Sequence, residues 1–269
     1  MRTPFMKVSV LRIAGKKTLE YLVPHSLRQI FRREHYFRVV KNFPEENERD
    51  LFLCSRIIRK GDAVVDIGAN VGVYTKFFAK DVGHEGLVFS FEPIRDTFLV
   101  LIFIVKRLGL KNVRCHQTAI SRENGIKKMF IPLDSAGSPN IYEAAFLTPG
   151  MLSKRAELVR SQRLDDALKD YVGKISFIKC DVEGHEKSVL EGAKKIINKY
   201  QPALLVEAKC RPECLSDILK PIKYKTFWSD GKSLWEITRR RPSPYENIFF
   251  LTHEHLRQLS RRGVEINFR

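Results

Sequence analysis

Four carboxylates have the neighbours and spacing to do chemistry. Asp66 lies inside an apolar run over residues 63–67, and Glu92 directly follows a second run over 87–91. Asp181 follows a third, 175–180, with Glu183 two residues further on. An ionised carboxylate carries only acceptor lone pairs, so at the tip of a buried strand it can hold a diol by both hydroxyls. Glu92 stands 26 residues after Asp66. That places it where the second strand of a nucleotide-binding unit carries its ribose acid.

The turn between the two acids decides which nucleotide. A dinucleotide turn is Gly-x-Gly-x-x-Gly, its bare amides facing a pyrophosphate. This chain has Asp66, Gly68, Asn70 and Gly72 in the order Asp-x-Gly-x-Asn-x-Gly. A carboxylate at that strand end would repel a pyrophosphate. S-adenosyl-L-methionine has no phosphate and offers an ammonium, a carboxylate, a sulfonium and a ribose. Asp66 suits the cationic end, and the helix start after Gly72 suits the methionine carboxylate. The cofactor expected is therefore S-adenosyl-L-methionine, bound by Asp66, Gly68, Asn70, Gly72, Glu92 and Ala119.

The stretch Asp181-Val182-Glu183-Gly184-His185-Glu186 is the candidate catalytic segment. Methyl transfer is an in-line displacement, so alignment of acceptor and methyl carbon carries most of the catalysis. An alcohol is a poor nucleophile until its proton leaves, which makes a base useful. Glu183 or His185 could take that proton while Asp181 orients the acceptor or the cofactor's amino group. Other roles stay open. Glu183 could cap the following helix, His185 could face solvent, and Asp181 with Glu183 could hold a divalent cation. Two carboxylates do not require a metal, and none is assigned.

The elements that position these residues follow from hydrophobic period. Runs at 63–67, 87–91, 112–119, 175–180, 202–207, 224–228 and 248–251 read as strands, with an added strand at 126–132. Helical spacing covers 45–59, 73–80, 97–108, 154–171, 187–200 and 214–219, and 134–150 reads as a loop. The helix at 97–108 is apolar on every side, so it is either buried all round or offers a sticky face. This alternation predicts a doubly wound, Rossmann-like α/β fold: a mostly parallel seven-stranded sheet with helices on both faces. Ligands of such sheets sit beyond the carboxyl ends of the strands, so Asp66, Glu92, Ala119, Asp181 and Glu207 share one rim.

The chain of 269 residues, 43% hydrophobic, is long enough for one large domain with appendages. Its formal charge of +17 implies an anionic neighbour. Residues 1–41 carry ten Lys or Arg against two Glu, interspersed with Leu, Ile and Phe. They read as a basic helical extension suited to an anionic membrane surface, or as a cap on the core, divided at Pro24. The methyltransferase-like domain is expected over 42–252, with a basic helix or tail over 253–269. No run reaches membrane-spanning length and no signal peptide is read. Five cysteines, an odd number, argue for reduced thiols. The expected location is cytoplasmic, with peripheral contact to the inner face of the membrane through the extension.

Three stretches together carry a family resemblance: 64–72, Phe91-Glu92-Pro93, and 178–184 with Glu186. Arg163-Leu164-Asp165 and the run 202–207 support them. The chain resembles the FkbM family of class I S-adenosylmethionine-dependent methyltransferases from about residue 42 to 251. The Asp-Val-Glu-Gly-x-Glu stretch is the most specific part. The helix after Glu92 is more apolar than the family pattern, and the first forty residues match nothing in it.

The resemblance implies O-methylation of a hydroxyl on a sugar, glycolipid or other small metabolite. A ribose 2′-O-methyltransferase acting on RNA is the alternative raised by the charge, and a non-catalytic cofactor-binding module is a third. Nucleic acid is disfavoured because two acids follow strand four, where a phosphate backbone would be repelled. Base methylation would call for an Asn-Pro-Pro-Tyr-like segment there instead.

Overall fold

In the computed structural model the described residues are 25–131, 145–146, 155–207, 215, 218–237 and 247–268. The chain runs through α1 (His25–Lys41), α2 (Arg49–Ile57), β1 (Ala63–Ile67), α3 (Val73–Val82), β2 (Leu87–Phe91) and α4 (Arg95–Arg107). Next come β3 (Val113–His116), β4 (Ala119–Ile120), β5 (Gly125–Ile131), β6 (Ala145–Phe146), β7 (Arg155–Gln162) and α5 (Leu164–Ala167). The remainder is β8 (Ile175–Cys180), α6 (Glu186–Gly192), α7 (Lys194–Tyr200), β9 (Ala203–Glu207), β10 (Lys225–Ser229), β11 (Leu234–Glu236), β12 (Asn247–Leu251), α8 (His253–Arg261) and β13 (Ile266–Asn267).

The main sheet has the order β13-β11-β10-β12-β9-β8-β1-β2-β3. The seven expected strands are its core, and β11 and β13 extend the edge to nine. β1, β2, β3, β8 and β9 pair in parallel, while β12 runs antiparallel to both β9 and β10. Because β1, β8 and β9 are buried on both faces, their sequences are near-continuous apolar runs. One face packs Val65, Ile67, Phe91 and Ile178 against α6 and α7. The other packs Val64, Val88 and Phe177 against α2, α3 and α8.

Several expectations need correction. Residues 155–162 form a strand rather than the start of a helix. They pair with β5 from Gly125↔Ser161 to Ile131↔Arg155 in a second, four-stranded sheet of order β4-β7-β5-β6. Only α5 is helical in that region, before a turn at 168–170. The run 112–119 breaks after His116, and Ala119 moves into the second sheet beside Ser161. The helix expected over 187–200 is two helices separated at Ala193, and the one over 45–59 is a 3-10 turn followed by α2. Most of 134–150 and half of 214–219 lie outside the described residues.

The apolar helix is not a sticky surface. α4 buries Val100, Leu101, Ile104 and Val105 completely or nearly so. Its outer side is covered by α1, whose Val40, Tyr36 and Phe37 pack on Val100, Phe103 and Ile104. Arg107 closes that contact by pairing with Glu34 at 3.1 Å and lying over the Phe37 ring.

Candidate functional site

The carboxyl ends of β1, β2, β8 and β9 open into one cleft. Gly68, Asn70, Glu92, Ile94, Ala119, Met129, Asp181, Glu183 and Glu207 are among its lining residues. Six of the nine site residues expected from sequence are therefore brought together. The other three, Asp66, Gly72 and His185, are not in the lining.

The turn after β1 is shaped by close approach. Gly68 has φ +77°, and a Cβ there would meet the Asp181 carbonyl oxygen at 1.8 Å. The Asp181 amide donates to the Ile67 carbonyl at 3.1 Å, so the strand ends of β1 and β8 touch at this point. Gly68 and Ala69 both donate their amides to the Phe91 carbonyl. Gly72 has φ +96° at the start of α3, with Leu101 where its Cβ would be, so it serves packing against α4.

Glu92 is clamped by the backbone. Its Oε2 accepts from the Asn70 amide at 3.1 Å and its Oε1 from the Ile94 amide at 2.8 Å. Burial pushes its pKa up to about 7, against the pull of those two bonds. Each oxygen keeps a second acceptor lone pair. Asn70, itself left-handed at φ +49°, has a buried Oδ1 with no hydrogen-bond partner among the described residues. A ligand rich in hydroxyl and ammonium donors fits these acceptors.

Asp66 sits on the opposite face of the sheet, beneath α3. Its side chain is fully buried, accepting from Thr75 Oγ1 at 2.6 Å, and Thr75 also bonds the Ser90 hydroxyl. Its register partner on β8 is Lys179, whose Nζ lies 3.8 Å from Asp66 Oδ1. The Lys179 ammonium then reaches Asp181 Oδ2 at 3.1 Å and lies 4.6 Å over the Tyr74 ring. Burial opposes its charge, yet the Asp181 and Asp66 carboxylates outweigh this and raise its pKa. Burial raises the Asp66 pKa as well, the pull of Lys179 offsetting only part of it.

At the rim, oxygens of Asp181, Glu183 and Glu207 all lie within 4.8 Å of one another. Glu207 is raised to about 9 by burial and by the neighbouring Asp181, to which it is hydrogen-bonded. Three such hard oxygen donors could accept a divalent cation, although Lys179 already supplies positive charge beside Asp181. Glu183 is held at φ +57° and Gly184 at φ +91°. Left-handed backbone at a non-glycine residue costs energy and gathers at functional sites. Glu186 fixes that turn: fully buried, its Oε1 accepts from the Gly184 amide at 2.8 Å.

His185 points elsewhere, sharing a 2.8 Å hydrogen bond with Ser121 Oγ, which also accepts from Lys127 at 3.0 Å. Burial and the nearby Lys127 and Arg122 cations lower its pKa to about 4. A group that weakly basic is a poor proton acceptor.

Sequence reasoning placed Glu207 on the rim without choosing it, and passed over Lys179. The available signal was a lysine inside an otherwise apolar strand.

A glycine turn, an acid at the tip of the second strand and further strand-end carboxylates at one rim of a mostly parallel sheet are the marks of a class I methyltransferase. The family model described as "Methyltransferase FkbM domain" matches residues 66–262. A curated relative, 31-O-demethyl-FK506 methyltransferase FkbM of Streptomyces tacrolimicus, is 28% identical over an alignment of 160 residues, with 50% of this chain and 60% of the relative covered. Among solved structures, methyltransferase FkbM from Methylobacillus flagellatus KT aligns with a TM-score of 0.51 at 19% identity, over 76% of this chain and 47% of that one. This likeness bears on the fold alone. The chain spans about 60% of the length of the curated relative it matches. It belongs to the FkbM methyltransferase family, and its cofactor is S-adenosyl-L-methionine.

Proposed function

We propose that this chain transfers a methyl group to a hydroxyl oxygen of a sugar, glycolipid or other small hydroxylated metabolite. The observation that carries the reading is the carboxyl trio of Asp181, Glu183 and Glu207 on the same cleft as Glu92. Glu92 is assigned the ribose, its spare lone pairs accepting from both hydroxyls, with Asn70 and the Gly68 turn beside it. Ala119 and Met129 offer apolar contact. Asp66 and Gly72 support the turn from behind rather than touching the ligand. When bound, the cofactor supplies an electrophilic methyl carbon on a sulfonium.

The rest is done by the chain. Asp181 accepts a hydrogen bond from a second hydroxyl of the acceptor and so fixes the direction of the reacting one, which is the larger part of such catalysis. Glu183 takes the proton. Glu207 is hydrogen-bonded to Asp181, while Lys179 balances charge from below. His185 is assigned a positioning role through Ser121 and no proton transfer.

A polynucleotide acceptor is disfavoured by the same acids, which would repel its phosphates. The test is incubation of the full chain with methyl-labelled cofactor and separate panels of sugars, glycolipids and RNA. Label in a methyl ether of a sugar or glycolipid is expected. Label in RNA, or none in any panel, would contradict the reading.

A further inference from the structure

We infer that the side of the molecule flanking the cleft docks on an anionic lipid bilayer, led by the outer face of α1. This rests on the hydroxyl-methylation reading only in giving the bilayer a purpose, which is to hold the acceptor. The inner face of α1 is occupied by α4. On the outer face Leu27, Ile30 and Phe31 are 45%, 53% and 66% exposed. Their spacing of three and four residues places them on one stripe. Arg28, Arg38 and Lys41, also exposed, border that stripe.

The helix that bears the stripe is tied to α4, which begins beside the cleft. Arg32, one residue past Phe31, pairs with Asp96 at 3.7 Å, and Asp96 is two residues from Ile94 in the cleft lining. A second patch of the same kind lies on the small sheet. Ile126 and Leu158 are 68% and 72% exposed, and the register sets them opposite Arg160 and Lys128. Met129 of that sheet lines the cleft, and the Arg95 amide at the start of α4 donates to Glu157 of β7 at 3.0 Å. Apolar side chains bordered by cations thus stand on the small sheet that lines the cleft and on the helix packed against α4 beside it.

Charge and chemistry choose the occupant. RNA would satisfy the cations and could stack a base on Phe31, but it gains nothing from the exposed Leu27, Ile30, Ile126 and Leu158. A second copy would bring its own +17. An anionic bilayer rewards both, taking the apolar side chains below the headgroups and the cations among them.

The test is co-sedimentation of the full chain, without cofactor or acceptor, with vesicles of phosphatidylcholine or of phosphatidylcholine mixed with phosphatidylglycerol. Binding to the mixed vesicles only, weakened by added salt, is expected. Ile30→Asp/Phe31→Asp and Ile126→Asp/Leu158→Asp should each lower binding at least about tenfold. All four residues are exposed, and unchanged affinity for S-adenosylhomocysteine would show that each variant is folded. Parent-level binding by either variant, equal binding to both vesicles, or none to either would overturn the proposal. Because the readout needs no methyl transfer, its failure is separate from failure of the catalytic reading.

Discussion

The Asn70 amide donates to Glu92 Oε2 at 3.1 Å, so the glycine turn and the acid at the tip of β2 are one mechanical unit. Removing the carboxylate would loosen the turn and, on the proposed assignment, delete two acceptors for the ribose. Glu92→Ala should therefore cost about 2–4 kcal/mol of S-adenosylhomocysteine affinity by calorimetry. Burial raises Glu92 to about 7, and the protonated form loses acceptor capacity. Affinity should fall by up to about tenfold per unit as pH drops below that value, and Glu92→Gln should abolish the dependence. For stability the sign is opposite. The raised pKa favours the fold below the ordinary carboxylate pKa of 4.5, and that contribution is lost as pH climbs to about 7.

Lys179 is the second point of tension, a buried cation between two acids. Lys179→Met would leave Asp66 buried without its counter-charge. Breaking such a pair costs about 3–5 kcal/mol, which a urea melt would read directly. Adding Asp66→Asn should recover part of the loss, because the neutral amide needs no partner charge. A double variant no more stable than the single would contradict the pairing.

Gly68 permits the contact between β1 and β8 on which the whole rim depends. In Gly68→Ala the new methyl meets the Asp181 carbonyl, in a left-handed conformation besides. A loss of at least about 2 kcal/mol is expected, with cofactor affinity falling at temperatures where the variant is still folded. Gly109→Ala, where a Cβ would meet nothing, is the control for positive φ without a clash.

What the sequence disclosed was local. The β1–turn–α3–β2 unit and Glu92 at its end are written in contiguous residues, and so is the Asp181–Glu186 segment. What it concealed was pairing between distant segments. β7 hid because its outward residues include Leu158 and its inward ones include Ser161, fully buried against β5. The alternation is real, but polarity does not mark it, and only the partner strand makes these residues a strand. An acid near a strand end, as Asp66 is, suggests a ligand contact. Its register with Lys179, 113 residues later, turns it to the other face. His185 was attractive by type alone, and Ser121 and Lys127, which claim it, come from another part of the chain.

The central claim is that Glu183 removes a hydroxyl proton in a cleft that holds the cofactor independently of it. The most direct measurement compares single-turnover methyl transfer in the parent chain and in Glu183→Gln, once an acceptor from the panels is in hand, with S-adenosylhomocysteine affinity measured on both. Transfer should slow by about 10²–10⁴-fold while affinity stays within about twofold, the signature of a lost general base. Undiminished transfer by Glu183→Gln would contradict the account.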